Sequence, residues 1–72
     1  MANEDIRVVL GRRIRKLRLE RGWYQEDLAA QSGVGRVAIS KLETGKQEAK
    51  LTTLETLADS FGLTISQFMR GI

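Results

Sequence analysis

Glycine divides this chain into helix-length pieces, and no proline interrupts any of them. Gly22, Gly33, Gly45 and Gly62 mark the divisions, and glycine often ends a helix because it adopts positive φ at no steric cost. The chain also lacks Cys and His, so disulfides and the usual thiolate or imidazole metal ligands cannot support the fold. The 72 residues therefore predict one all-helical domain over residues 1–72, stabilised by packed helices.

Apolar residues recur at helical spacing within these pieces. In the first piece four apolar residues recur at steps of four, four and three, which places them on one face of a helix: Ile6, Leu10, Ile14 and Leu17. Gly11 lowers the helix propensity there, so either the helix starts near it or another element packs closely against it. The predicted helices cover about 5–21, Gln25–Ser32, Arg36–Thr44, about 52–61, and a short segment capped by Thr64 and Gln67.

The second and third helices are separated only by Gly33, Val34 and Gly35. A connection this short, with a glycine able to take the left-handed conformation, joins two short helices at a steep angle. We therefore predict a helix-turn-helix over residues 25–44. Trp23 precedes it, and we expect its ring to pack the start of the second helix onto the core rather than to stack on a nucleobase.

The third helix has an apolar face and a polar, basic face. If Ala38, Ile39 and Leu42 face the core, the remaining side chains point away from it. An α-helix fits the major groove of B-DNA, where Arg or Lys donates to guanine, Ser bonds to several bases, and Val contacts a thymine methyl. A β-branched residue at the edge of the core face can also be core, which is the alternative for Val37. The predicted outward face comprises Arg36, Val37, Ser40, Lys41 and Thr44.

Basic residues are concentrated in the first helix. Residues 7–21 contain seven Arg and Lys and one Glu, a local balance of +6, in a chain whose net charge is +3. Such a cluster fits a polyanion partner, a solvated helix face, or an anionic membrane surface.

Two polar residues outside the third helix are candidate phosphate contacts. Gln25 begins the second helix, where backbone N–H groups favour phosphate, and Lys46 follows Gly45 at the end of the third. For each, an ordinary exposed side chain is the alternative.

The stretch GRRIRKLRLERGWYQEDLAAQSGVGRVAISKLETGK, with LETLADSFGLTISQFM after it, resembles the phage repressor and Cro type of helix-turn-helix regulator, the XRE family. The resemblance runs from about Gly11 to Met69. It implies a compact five-helix, lambda-repressor-like domain that binds double-stranded operator DNA and regulates transcription as a repressor or autoregulator. It implies no cofactor, no metal and no enzymatic activity.

Position by position, the resemblance also implies roles for particular residues. Tyr24 stands where relatives usually have a Ser or Thr cap, and we hypothesise that its hydroxyl reaches a phosphate. A partly buried ion pair between Arg18 and Glu43 is expected, since relatives often pair these positions. The resemblance implies base contacts by Arg36, Val37, Ser40 and Lys41 and phosphate contacts by Gln25 and Lys46. We add Tyr24 and Thr44 as expected phosphate contacts.

Relatives of this type usually bind as dimers on half-sites about one DNA turn apart, ~34 Å. Ile65, Met69 and Ile72 are four and three residues apart and predict an exposed apolar stripe for a homodimer, although they could instead complete the core. Glu26 and Asp27 form an acidic spot that could contact RNA polymerase or simply solvate the start of the second helix.

Other classes of function compete with DNA binding. A protein-interaction module of the same fold, binding a partner such as a toxin, is the main alternative, and membrane attachment through the first helix is a third. An enzyme is the least favoured, because the sequence contains no recognisable base and nucleophile arrangement. The amino terminus is acidic and no apolar run approaches the ~20 residues of a membrane span. We expect a cytoplasmic protein with no membrane partner and no small-molecule ligand.

Overall fold

The computed structural model describes residues 4–72, and within that range it contains five helices and no strand. Every predicted helix is present, with ends that differ from the prediction by at most one residue, which confirms the all-helical fold class. The helices are α1 (Ile6–Glu20), α2 (Gln25–Ser32), α3 (Arg36–Glu43), α4 (Leu51–Ser60) and α5 (Ile65–Phe68).

Local chemistry explains where the helices begin and end. Gly33 adopts a left-handed conformation with φ of 78°, and its N–H donates to the Ala29 carbonyl, so α2 stops there and the chain turns sharply into α3. The predicted capping box of α5 is present, because Gln67 N donates to Thr64 Oγ1 and Thr64 N donates to Gln67 Oε1. At the other end of the chain, Asp5 caps α1 by accepting from Arg7 N.

A single apolar core receives a side chain from every helix. Trp23 packs against this core and stacks on Phe61, whose ring in turn stacks on Phe68, with centroid separations of 5.8 and 6.1 Å. The aromatic packing explains how the start of α2 is held, as expected for Trp23. The largest fully buried side chains are Ile14, Leu28, Ile39, Leu42, Leu57 and Phe68.

Gly11 lies in the middle of α1, where this helix crosses α3. A β-carbon on Gly11 would lie 2.6 Å from the carbonyl oxygen of Glu43 and 2.8 Å from its carbonyl carbon, closer than side chains approach backbone atoms. Of the two explanations that the sequence left open, close packing is therefore the correct one. Glycine lets α1 approach the end of α3 without a clash.

Most basic side chains of α1 are engaged within the fold. Arg13 donates to the carbonyls of Phe68 and Gln67 at 3.0 and 2.9 Å, and so caps the end of α5. Arg21 donates to the Phe61 carbonyl at the end of α4 and places its guanidinium 4.8 Å from the centroid of the Phe61 ring.

Three other arginines pair with carboxylates: Arg7 with Asp5, Arg12 with Glu4, and Arg18 with Glu43. Among residues 4–72, Arg15 and Lys16 are the members of the cluster that make no side-chain hydrogen bond or ion pair. Much of the positive charge of α1 therefore serves capping and internal pairing. No helix in the described range is long and apolar enough to cross a lipid bilayer.

Candidate nucleic-acid interface

The outward face of α3 is built by the periodicity of an eight-residue helix. Ile39 and Leu42 are buried in the core, whereas Val37 is 59% exposed on the other side. The alternative that Val37 belongs to the core is therefore wrong. Arg36, Lys41 and Thr44 are also exposed, so this face combines cations, a hydroxyl and one branched aliphatic side chain.

Two members of the predicted face are less available than their positions indicate. Ser40 is only half-exposed. Thr44 Oγ1 lies 2.9 Å from the Ser40 carbonyl and 3.3 Å from the Lys41 carbonyl, so its single hydrogen is donated to the end of α3 itself. Because a phosphate oxygen only accepts hydrogen bonds, Thr44 would have to rotate its hydroxyl before it could donate to a phosphate.

The start of α2 lies open to solvent at Tyr24. This side chain is 76% exposed, and its hydroxyl makes no hydrogen bond with residues 4–72. Tyr24 does not supply the side-chain cap of a Ser or Thr, but the Asp27 carboxylate accepts from Tyr24 N at 2.8 Å, which is the other half of a capping box. Asp27 therefore has a structural role, and the Tyr24 hydroxyl has hydrogen-bonding capacity that the fold does not use.

Arg18 and Glu43 form a bidentate ion pair beneath these two helices. Arg18 Nε lies 2.7 Å from Glu43 Oε2 and Arg18 Nη2 lies 2.9 Å from Glu43 Oε1, with side chains that are 9% and 3% exposed. The third guanidinium nitrogen, Nη1, donates to the Trp23 carbonyl at 2.8 Å. Hydrogen bonding to Glu43 raises the pKa of Arg18 above its usual value, although burial acts in the opposite direction.

Gln25 joins this ion pair, which nothing in the sequence spacing indicates. Its Nε2 donates to Glu43 Oε1 at 3.2 Å, and the side chain is half-buried. The first residue of α2 and the last residue of α3 are thereby connected directly. Lys46 follows α3 as an exposed side chain, and its backbone N–H donates to the Lys41 carbonyl.

The predicted apolar stripe at the carboxyl end is only partly exposed. Ile65 and Ile72 lie on the surface, but Met69 is half-buried and packs against the core, so its description as an exposed stripe residue is corrected. The sequence interpretation also missed Leu51, which is 75% exposed and lines a cleft of about 250 Å³ together with Ile65. Leu51 begins α4, one residue before the predicted start.

Two short helices joined at Gly33, the second with a cationic surface above a buried apolar face, define a DNA-binding domain of the helix-turn-helix class. The helix-turn-helix family model matches residues 14–68, which is most of the chain. The chain therefore belongs to the helix-turn-helix family, and its resemblance to the XRE type of regulator is confirmed.

Individual relatives agree with this membership. The chain is 33% identical over 66 residues to a hypothetical transcription factor of Neisseria meningitidis, covering 92% of this chain and 62% of that protein. It is 35% identical over 69 residues to the control protein C.MunI of a Mycoplasma species, covering 94% and 93% of the two chains. The crystal structure of the restriction-modification controller protein C.AhdI from Aeromonas hydrophila superposes with a TM-score of 0.83 at 30% identity, covering 88% of this chain and 96% of that one.

These relatives are named as a transcription factor and as controller proteins rather than as enzymes. The share of each relative's length that this chain covers differs among them. This chain spans less than two thirds of the Neisseria meningitidis protein and nearly all of C.MunI and C.AhdI.

Proposed function

We propose that this chain binds double-stranded DNA at a specific operator and regulates transcription by placing α3 in the major groove. The observation that carries the proposal is the exposure of Val37 between Arg36 and Lys41, directly opposite the buried Ile39 and Leu42. Single exposed aliphatic side chains are common on protein surfaces, but Val37 lies beside two cations on one helix face, where it can contact a thymine methyl in the major groove.

The polar neighbours of Val37 can recognise the other bases of the site. Arg36 and Lys41 are exposed cations that can donate to guanine O6 and N7, and Ser40 can bond to either partner of a base pair. Val37 and Lys41 lie about 6 Å apart along the helix axis, so the face reaches only a few successive base pairs. Each side chain then specifies one or two positions of a half-site.

Phosphate contacts fix the position of α3 in the groove. Gln25 is at the amino end of α2, where unpaired backbone N–H groups and the helix dipole favour an anion. Tyr24 adds a free hydroxyl, and the exposed Lys46 adds a charge just past α3. Thr44 contributes only after its hydroxyl rotates away from α3. Such contacts raise affinity for all sequences alike.

A single recognition helix of eight residues reads a short half-site, so we propose a homodimer on two half-sites ~34 Å apart. Its interface would use Ile65 and Ile72 with the exposed Leu51, while Met69 supports them from the core side. The simplest regulatory action is repression by occupying a promoter, and the names of C.MunI as a control protein and of C.AhdI as a controller protein support a regulatory role. We propose a cytoplasmic location and no catalytic role.

Selection from random duplexes tests this proposal. The protein is used to enrich duplexes carrying a random 24-base-pair core. Footprinting then locates the bound site on each enriched duplex, and sedimentation of the duplex with and without protein gives the number of chains bound. We expect a pseudo-palindromic site bound by two chains. Failure to enrich any duplex sequence would contradict DNA binding. It would favour the alternative that the chain is a protein-interaction module.

A further inference from the structure

The Gln25 side chain has one orientation relative to Glu43. A carboxylate only accepts hydrogen bonds, so the short contact at Glu43 Oε1 must come from Gln25 Nε2, and the amide oxygen must point elsewhere. The opposite orientation would place the amide oxygen 3.2 Å from a carboxylate oxygen with no hydrogen between them. Glu43 therefore determines which way the amide faces.

This orientation leaves a single hydrogen for an external anion. One of the two Nε2 hydrogens is donated to Glu43, and a phosphate oxygen can only accept, so the second Nε2 hydrogen is the donor that remains. Gln25 is half-buried, which limits the other rotamers available to it. The amide is thus oriented before DNA arrives, and less side-chain entropy is lost on binding.

Arg18 makes the arrangement compatible with a nearby phosphate. An unpaired carboxylate at the DNA backbone would repel it, but Glu43 accepts two hydrogen bonds from Arg18 and its charge is balanced. Arg18 also holds the backbone just before α2, through the Trp23 carbonyl. The same guanidinium therefore orients the carboxylate and anchors the chain segment that carries Gln25.

We infer that Glu43, held by Arg18, is a positioning residue for DNA binding: it orients Gln25 so that one Nε2 hydrogen faces a backbone phosphate. The inference rests on the proposed function, and it explains what orients the Gln25 side chain toward the phosphate. The ion pair then serves affinity for all duplexes, in addition to any role in folding.

A double-mutant cycle separates positioning from folding. Arg18→Met combined with Glu43→Leu removes the partner of Gln25 without leaving one charge buried, and replacing both members of a buried pair by apolar residues is tolerated far better than removing one. Four proteins are compared on a random-sequence duplex by fluorescence anisotropy: the wild type, this apolar-pair variant, Gln25→Ala, and the combination. Gln31→Ala, an exposed glutamine of the same helix, is the control. Circular dichroism verifies that each protein is folded.

We expect Gln25→Ala and the apolar-pair variant each to weaken binding roughly fivefold, and the combination to be no weaker than the weaker of the two, because coupled residues are non-additive. The inference would be overturned if the loss of affinity in the combined variant equals the product of the two separate losses. It would also be overturned if the apolar-pair variant binds like the wild type. A wild type that binds no duplex would instead refute the proposed function.

A second measurement does not depend on whether the apolar-pair variant folds. The side-chain amide signal of Gln25 in ¹⁵N-labelled wild-type protein is identified by its loss in Gln25→Ala and followed while duplex is added. We expect two distinct Nε2 hydrogens in the free protein, one of them protected, and a shift of the other on binding. A Gln25 signal that matches exposed Gln31 and does not move with duplex would contradict the inference.

Discussion

Gly11 in α1 and Glu43 at the end of α3 are packed so closely that a β-carbon on Gly11 would lie 2.6 Å from the Glu43 carbonyl oxygen. The relationship fixes the distance between α1, which carries half of the Lys and Arg residues, and the helix that we propose to enter DNA. Glu43 is also the residue that pairs with Arg18, so one short segment of α3 is held by both backbone packing and an ion pair.

Gly11→Ala tests this packing, and two effects oppose each other there. Helix propensity alone favours alanine by ~1 kcal/mol, whereas a backbone clash of this kind costs about 1 to 3 kcal/mol. The clash involves carbonyl atoms rather than a flexible side chain, so we expect a net loss of stability in urea unfolding. Gly35→Ser is the control, because nothing lies within 4 Å of a β-carbon at Gly35. Stabilisation by Gly11→Ala would show that the two helices separate easily.

Arg21→Ala tests whether the basic residues of α1 act within the fold. The variant loses the hydrogen bond to the Phe61 carbonyl and the contact with the Phe61 ring, and we expect it to lose about 1 to 2 kcal/mol of stability. Arg15→Ala removes the same charge without such contacts and should change stability by less than ~0.5 kcal/mol. Equal melting temperatures for the two variants would contradict this division of roles.

Asp5 gives a prediction about pH. Hydrogen bonds from the Arg7 side chain and backbone hold the pKa of Asp5 at about 2, below its usual 3.8. A carboxylate whose pKa is lowered on folding stabilises the protein above the unfolded value, and this contribution is lost as the pH falls from about 4 to about 2. We therefore expect the difference in melting temperature between the wild type and Asp5→Asn to shrink across that range. A melting-temperature difference that stays constant down to pH 2 would show that it does not arise from ionisation of Asp5.

Tyr24→Phe tests the unused hydroxyl at the start of α2. The hydroxyl makes no hydrogen bond with residues 4–72, so stability should not change. Loss of one phosphate contact should weaken binding roughly threefold to tenfold, equally on operator and random duplexes. Anisotropy titrations at one salt concentration measure both. Unchanged affinity on both duplexes would remove Tyr24 from the interface.

The parts of the fold that depend on local chemistry could be predicted from the sequence. Gly33 ends α2 and the apolar spacing of Ile39 and Leu42 sets the orientation of α3, so the two helices and the exposure of Val37 follow from residues within one or two turns of each other. The same applies to the capping box of Thr64 and Gln67.

The remaining features depend on contacts between residues far apart in the chain. The hydrogen bond of Gln25 to Glu43 and that of Arg13 to the end of α5 arise from how helices pack, which no spacing encodes. A count of charges therefore does not distinguish Arg13 and Arg21, which cap helix ends, from the rest of the cluster. Helical spacing places Met69 in the apolar stripe but does not say which neighbours cover it.

The most direct test of the proposed recognition surface compares two variants with the same net charge. Arg36→Ala with Lys41→Ala removes two cations from α3, and Arg15→Ala with Lys16→Ala removes two from α1, so each lowers the net charge from +3 to +1. Affinities for the selected operator and for a random duplex are measured at moderate salt. We predict that the α3 variant loses at least ~30-fold on the operator and most of its discrimination, since two base contacts of ~1–3 kcal/mol each are removed, while the α1 variant keeps its discrimination. Equal losses for the two variants, or operator discrimination that is undiminished in the α3 variant, would contradict the proposal that α3 reads the DNA.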